Sequence, residues 1–148
     1  MPALPPFTIR SARPDDAVEL ARLFTELGHA TTADALRARW PAWSAAGNSA
    51  LVAATADHLL GVATLHRTDV LHRPRPVGRI SALVVDARYR GAGLGKALVA
   101  ACEHEHHEAG CGLLEVTSNL RRTDAHAFYE HLGYDRTSYR FAKTLRAD

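Results

Sequence analysis

An apolar run that meets a glycine-rich turn and then a helical pattern dominates this sequence: Ile80 to Val99 reads ISALVVDARYRGAGLGKALV. Ser81 to Val85 is short, β-branched-rich and nearly all apolar, as a strand buried on both faces is. Asp86 and the Arg-Tyr-Arg segment interrupt it. Gly91, Gly93 and Gly95 alternate with Ala92 and Leu94, which strips side-chain bulk from a place where backbone N–H groups can approach an anion. The helix that follows turns its first amides and positive dipole end to the same place, and Arg90 and Lys96 add two cations, so a phosphate is the natural guest. Two familiar phosphate motifs fail. The dinucleotide fingerprint needs a glycine where Lys96 stands, and the nucleoside-triphosphate loop needs a glycine and a Ser or Thr where the chain has Arg90 and Ala97.

The rest of the composition narrows the class. A chain of 148 residues, 47% hydrophobic, fits one domain with a sizeable core. A net charge of +2, with 18 basic residues spread along the chain, gives no footprint for nucleic acid. No apolar run approaches the ~18 residues of a membrane span, and MPALPPF lacks the apolar core of a secretory signal, so a cytoplasmic protein without a membrane partner is expected. Cys102 and Cys111 make neither a disulfide framework nor a metal quartet and read as reduced packing residues.

In chain order, Phe7 to Arg10 is a short strand. Pro14 opens a helix with Asp15 and Asp16 in its first turn and Val18, Leu20, Leu23, Phe24 and Leu27 as its apolar stripe, ended by Gly28. Thr31 or Thr32 caps a second helix that Pro41 should kink or divide. Ala50–Ala54 and Gly61–His66 form a hairpin, and a third strand runs from Ile80 to Asp86. The intervening His72, Arg73, Pro74, Arg75 and Pro76 form a projecting basic loop, because the prolines lack the donors a ladder requires. The central helix, about Gly93 to Ala109, buries Leu94, Leu98, Ala101 and Cys102 and keeps a polar side with His104, Glu105, His106, His107 and Glu108. His104 and Glu108 are i,i+4 neighbours, but the zinc-protease pattern fails at Glu108 and no other cluster completes a metal site. Leu113–Thr117 is a strand, Asp124–Leu132 a helix, and Ser138–Leu145 a final strand.

Two segments in this order carry a family resemblance. Arg90-x-x-Gly93-x-Gly95 after a strand resembles the acetyl-CoA pyrophosphate loop of the GNAT (Gcn5-related) N-acetyltransferases. About 35 residues later, Ala125-x-x-Phe128-Tyr129-x-x-x-Gly133-Tyr134 looks like the segment of that family that packs against the cofactor. The likeness extends over essentially the whole chain. It implies a single domain over residues 1–148, with a mixed, mostly antiparallel α/β sheet, a central splayed parallel strand pair and flanking helices.

The resemblance also implies acetyl-CoA as acyl donor, with no metal, and a primary amine, most simply of a small molecule, as acceptor. A protein lysine or N-terminus, or a non-catalytic acyl-CoA-binding role, remains open at this stage. Main-chain groups of Leu83, Val84 and Val85 then bond the pantetheine arm. Arg90, Gly91, Ala92, Gly93, Leu94, Gly95 and Lys96 hold the pyrophosphate. Many members carry an Asn three residues before the alanine of the second motif; Arg122 stands there, and Asn119, a turn earlier, is the asparagine this chain offers to the cofactor. An amide of Val84 or Val85 holds the oxyanion, and Tyr129 protonates the departing thiolate. The family's usual strand glutamate falls near Ser81 and Ala82, neither of which can take a proton from an ammonium. Glu26, His29, His66 and Glu115 remain as base candidates, with proton loss to ordered water or solvent expected instead. The basic loop is available to an anionic substrate, the CoA phosphates or a second subunit of a homodimer, and equally to solvent.

Overall fold

The computed structural model describes residues 3–118 and 122–148. The chain divides into two compact units, Met1–Val116 and Thr117–Asp148. Among the described residues no helix is long and apolar enough to cross a membrane.

The larger unit opens with β1 (Thr8–Ser11) and a short 3-10 turn at Pro14–Asp16. Asp16 accepts two bonds from the Arg10 guanidinium, at 2.8 and 2.9 Å, and one from the Arg13 amide, which fixes the entry into α1 (Ala17–Leu27). Ala17, Leu20, Ala21 and Leu23 are the buried positions of α1. Val18, expected in the apolar stripe, is 62% exposed. At about 100° per residue it lies on the far side of the helix from Leu20 and Leu23. Gly28 ends the helix at φ 110°, a conformation only glycine takes without strain.

Helix α2 (Ala33–Ala45) is capped by Thr32, whose Oγ1 accepts from the Ala35 amide at 3.1 Å. Pro41 does not divide it. The proline removes one helical bond, while Trp40 and Trp43, edge to face at 5.0 Å, hold both halves against the core.

Strands β2 (Ser49–Ala54), β3 (Leu59–Thr68) and β4 (Val77–Val85) continue the antiparallel sheet, and β5 (Leu113–Val116) joins β4 in parallel. The strand order is β1-β2-β3-β4-β5, so the parallel pair closes one side of the five strands. Leu20 and Leu23 pack on Ala50, Val52, Ala54, Val62 and Val84. Successive strand residues face opposite ways, so Gly61, beside Val62, looks to the other face, where α3 (Leu94–Glu108) brings Leu98 against it. Fully buried leucines such as Leu20, Leu23 and Leu98 each contribute about 2 kcal/mol by leaving water.

His106 departs from the expected polar side of α3. It is 6% exposed and lies one helical turn beyond buried Cys102. A Cβ on Gly78 would overlap its ring, so the missing side chain of Gly78 makes the room. Ala101, in turn, is only half-buried, and Val99 takes the inward place. Cys102 and Cys111 are free thiols, and burial pushes Cys102 up to about 12, which leaves it a packing residue.

The smaller unit holds α4 (Thr123–His131). The Tyr134 amide closes back onto Tyr129 O at 3.0 Å around Gly133, whose φ is 91°. Tyr129 is edge to face with Phe128 at 5.1 Å and with Tyr134 at 5.9 Å. The strand expected at Ser138–Leu145 does not form; residues 134–148 carry no regular element.

Candidate functional site

Asp86 stands where β4 gives way to the turn. It is 2% exposed, and its carboxylate is held by two arginines. Arg88 bonds it through Nε (3.1 Å), Nη2 (3.0 Å) and its own amide (2.9 Å), and Arg22 of α1 bonds it through Nη1 at 2.8 Å. The Arg88 bonds, then the Arg88 amide and Arg22, outweigh burial and hold the carboxyl well below the usual carboxylate range. Glu26 of α1 accepts from the Ala87 amide at 2.8 Å. The glycine turn therefore hangs from α1 by two carboxylate contacts.

The main chain of β4 changes sides residue by residue. The Asp86 amide donates to Leu60 O at 2.8 Å, so Asp86 and Val84 turn their groups toward β3, while Leu83 and Val85 turn theirs away. Val84 O lies 3.0 Å from where a Cβ on Gly61 would stand, in agreement. On the other side β5 pairs only from Val77↔Leu113 to Ile80↔Val116. Beyond that point Leu83 and Val85 have no strand partner on that side among the described residues, although Arg90 Nε donates to Val85 O at 3.2 Å. Of the three residues expected to offer main-chain bonds, Leu83 and Val85 face the open side and Val84 faces β3.

A register shift accompanies this. Thr64 pairs with Ala82 and Leu65 with Ile80, so Ser81 is an extra residue in β4. It is exposed, and its hydroxyl bonds the Thr64 hydroxyl at 2.8 Å.

After a 3-10 turn at Ala87–Tyr89, Arg90 is extended, and Gly91 (φ 79°) and Gly93 (φ 91°) curl the chain into α3. Gly93 is the N-cap and offers no side-chain bond, so the first-turn amides at Leu94, Gly95 and Lys96 have no side-chain cap. A Cβ at Gly93 would meet nothing within 4 Å; the space beside the helix end is open. Arg90, Ala92 and Lys96 are exposed around it, and Leu94 anchors the helix at 1% exposure.

The remaining expected residues fall in different places. Tyr129 lies in α4 of the smaller unit, and Asn119 lies outside the described residues. Among the base candidates, Glu26 is occupied with Ala87 and sits 3.7 Å from Arg22. His66 is bonded at both ring nitrogens, to Asn48 Oδ1 (2.7 Å) and Thr68 Oγ1 (2.6 Å). His29 is exposed just past α1, and Glu115 is exposed on β5 opposite Arg79 in register. His72 to Arg75 are exposed in the β3–β4 loop, with Pro76 half-buried.

Two features had no clear signal in the sequence. One is the pairing of Arg22 with Asp86, 64 residues apart. The other is an apolar groove of about 160 Å³ between α1, α2 and the sheet, lined by Leu20, Phe24, Leu36, Trp40, Trp43 and Thr64, with Arg39 and Ala50. Thr64 joins this groove to Ser81 of β4 through the hydroxyl bond.

Comparison with known proteins agrees with this geometry. The profile described as the Acetyltransferase (GNAT) family matches residues 15–134. The chain is 39% identical over 87 residues to an aminoalkylphosphonate N-acetyltransferase of Salmonella typhimurium, covering 59% of this chain and 56% of that protein. The chain thus spans little more than half the length of that relative. It is 32% identical over 135 residues to an aminoglycoside N(6')-acetyltransferase type 1 of Stenotrophomonas maltophilia, covering 88% and 87% of the two chains. An acetyltransferase structure from Trypanosoma brucei superposes with a TM-score of 0.85 at 27% identity, over 95% of this chain and 100% of that one. The profile match takes in α1, the open side of β4, the glycine turn at α3 and the Gly133-Tyr134 corner after α4 together, and so this chain belongs to the GNAT acetyltransferase family.

Proposed function

We propose that the protein is an acetyl-CoA-dependent N-acetyltransferase that moves the acetyl group to the primary amine of a small molecule by direct attack in a ternary complex, and that both compact units belong to one domain. The family match runs across the boundary between them, which supports the second point. The observation that carries the reading is the open side of β4 leading into the uncapped, glycine-lined start of α3.

The residues present fit the donor. First-turn amides of α3, the open space at Gly93 and the exposed Arg90 and Lys96 suit a pyrophosphate. The main-chain groups of Leu83 and Val85 suit an amide-bearing arm laid along β4. When bound, acetyl-CoA supplies the reactive acetyl thioester. The Val85 amide, rather than that of Val84, is the donor for the thioester oxygen as charge develops, since Val84 is turned to β3. Tyr129 gives its phenolic proton to the leaving thiolate; on reference pKa values of about 10 and 8.5 this transfer alone is uphill by about 2 kcal/mol, and the phenolate it leaves regains a proton from solvent.

The acceptor amine enters from the groove lined by Trp40, Trp43 and Phe24 and meets β4 beside Ser81 and Thr64. A groove of about 160 Å³ suits a small amine better than a folded polypeptide surface. Two relatives carry names of enzymes for small amines, an aminoalkylphosphonate and an aminoglycoside. Thiol release from acetyl-CoA, measured across panels of small amines and of peptides, tests the reading. Turnover is expected with members of the first panel; turnover with peptides alone would overturn the acceptor class.

A further inference from the structure

Helix α2 has an apolar face, yet no residue of the helix is fully buried. Leu36, Trp40 and Trp43, at i, i+4 and i+7, lie on one side of it and are half-buried. Between them, α1 and the sheet runs the groove of about 160 Å³. That volume is below the ~300–1,000 Å³ of sites for drug-sized molecules, so the groove suits a single ring or a short branched chain.

The polar groups of the groove are few and unlike. Thr64 of β3 carries a hydroxyl bonded to that of Ser81 of β4 at 2.8 Å. Arg39 shares the helix face of Leu36 and Trp43, three residues after the one and four before the other, and is exposed at the rim. Among the described residues of the lining it is the one charged side chain, with no carboxylate beside it. Arg37 on the same helix is paired with Asp34 at 3.2 Å, whereas Arg39 has no ion pair among the described residues. A guanidinium at the mouth of an apolar hollow, with no acid of its own, favours a ligand that brings the acid with it.

We infer that the acceptor is an amine built on a single aromatic ring that also carries one anionic group, a carboxylate or a phosphonate, held by Arg39. This rests on the acetyl-transfer reading above and narrows its substrate. The ring packs against Phe24, Trp40 and Trp43, and the planar fork of Arg39 bonds the anion through two N–H groups. The amine is then left to point at the Thr64–Ser81 hydroxyl pair beside β4. A polycationic acceptor is selected against, because its further ammonium groups meet the like charge of Arg39 and find no carboxylate in the lining.

Trp40 and Trp43 are the two tryptophans of the sequence and both line the groove, so their fluorescence reports binding there whether or not acetyl transfer occurs. Four ligands that share one ring are titrated: benzylamine, para-(aminomethyl)benzoate, para-(aminomethyl)phenylphosphonate and para-xylylenediamine. The benzoate and the phosphonate should bind about tenfold or more tighter than benzylamine, the scale of one charge-assisted contact, and the tighter of the two identifies the anion. The diamine should bind no tighter than benzylamine. Arg39→Gln should bring the four dissociation constants together, and Arg39→Glu should reverse the order in favour of the diamine, with circular dichroism unchanged in both. Thiol release from acetyl-CoA should follow the same order in kcat/KM, with the difference carried by KM. Benzylamine or the diamine binding as tightly as the anionic pair would overturn the proposal. So would a preference that survives Arg39→Gln, or no fluorescence response to any of the four. Tight, Arg39-dependent binding without thiol release would support the ligand class and overturn the acetyl-transfer reading, which tells the two failures apart.

Discussion

Arg22 Nη1 of α1 reaches Asp86 Oδ2 at 2.8 Å, tying the first helix of the chain to the residue at which β4 becomes the glycine turn. The same guanidinium holds Leu59 O at 2.9 Å and Glu19 at 2.8 Å, so one side chain spans α1, the start of β3 and the end of β4. The position of the proposed cofactor turn thus depends on a nearly buried carboxylate.

Asp86 should make the fold acid-sensitive. Its folded pKa is lowered, so it contributes stability above the unfolded value of about 3.9 and loses it as pH falls toward the lower folded value. Asp16, held by Arg10, and Glu19, held by Arg22, act in the same direction. His106, whose pKa burial lowers, begins the loss earlier, as pH falls below about 6.5, because the unfolded imidazole takes a proton the buried one resists. Urea unfolding across pH 7 to 2 should show stability falling throughout. Asp86→Asn should cost about 3 kcal/mol at pH 7 and flatten the slope below pH 4 without removing it. An unchanged slope would show that the arginine pair does not govern Asp86.

Much of this arrangement was legible locally. The strand, the glycine turn and α3 follow one another within 20 residues, and each has its own sequence signal, so their order reads correctly, although β4 starts earlier, at Val77, and within Ser81–Val85 only Val84 is buried, not both faces as expected. Arg22 and Asp86 do not, because their pairing is made by the packing of α1 on the sheet. His106 misled for the same reason: it sits among four other polar residues, and only Gly78, on a neighbouring strand, reveals the space for its ring. At Ser138–Leu145 the strand pattern is present but no regular element forms. The orientation of Val84 toward β3 is set by register, which a single strand cannot disclose.

Tyr129→Phe removes the phenolic proton and leaves the ring. It should lower kcat by about 10²–10⁴-fold while acetyl-CoA affinity stays nearly unchanged. Pre-steady-state kinetics with the chemical step rate-limiting would decide; near-normal kcat there would reduce Tyr129 to an aromatic packing against Phe128 and Tyr134.

No side chain should prove indispensable as a base. Glu26→Gln, His29→Ala, His66→Ala and Glu115→Gln should each keep at least about a tenth of kcat/KM, short of the ~10²-fold loss of a true general base. The occupied positions of Glu26 and His66 argue the same way. A variant that loses 100-fold at neutral pH, recovers as pH rises and still binds both substrates would identify the base and refute this.

Calorimetric titration of acetyl-CoA into the wild-type protein and into Gly95→Asp tests the central claim most directly. Gly95 lies in the first turn of α3 at negative φ, so the aspartate fits the backbone while placing a carboxylate beside the amides that would hold the pyrophosphate. One molecule of acetyl-CoA should bind per chain, and binding should be lost in Gly95→Asp with the circular dichroism unchanged. Unaltered affinity in a folded Gly95→Asp protein would contradict the assignment of this turn to the cofactor.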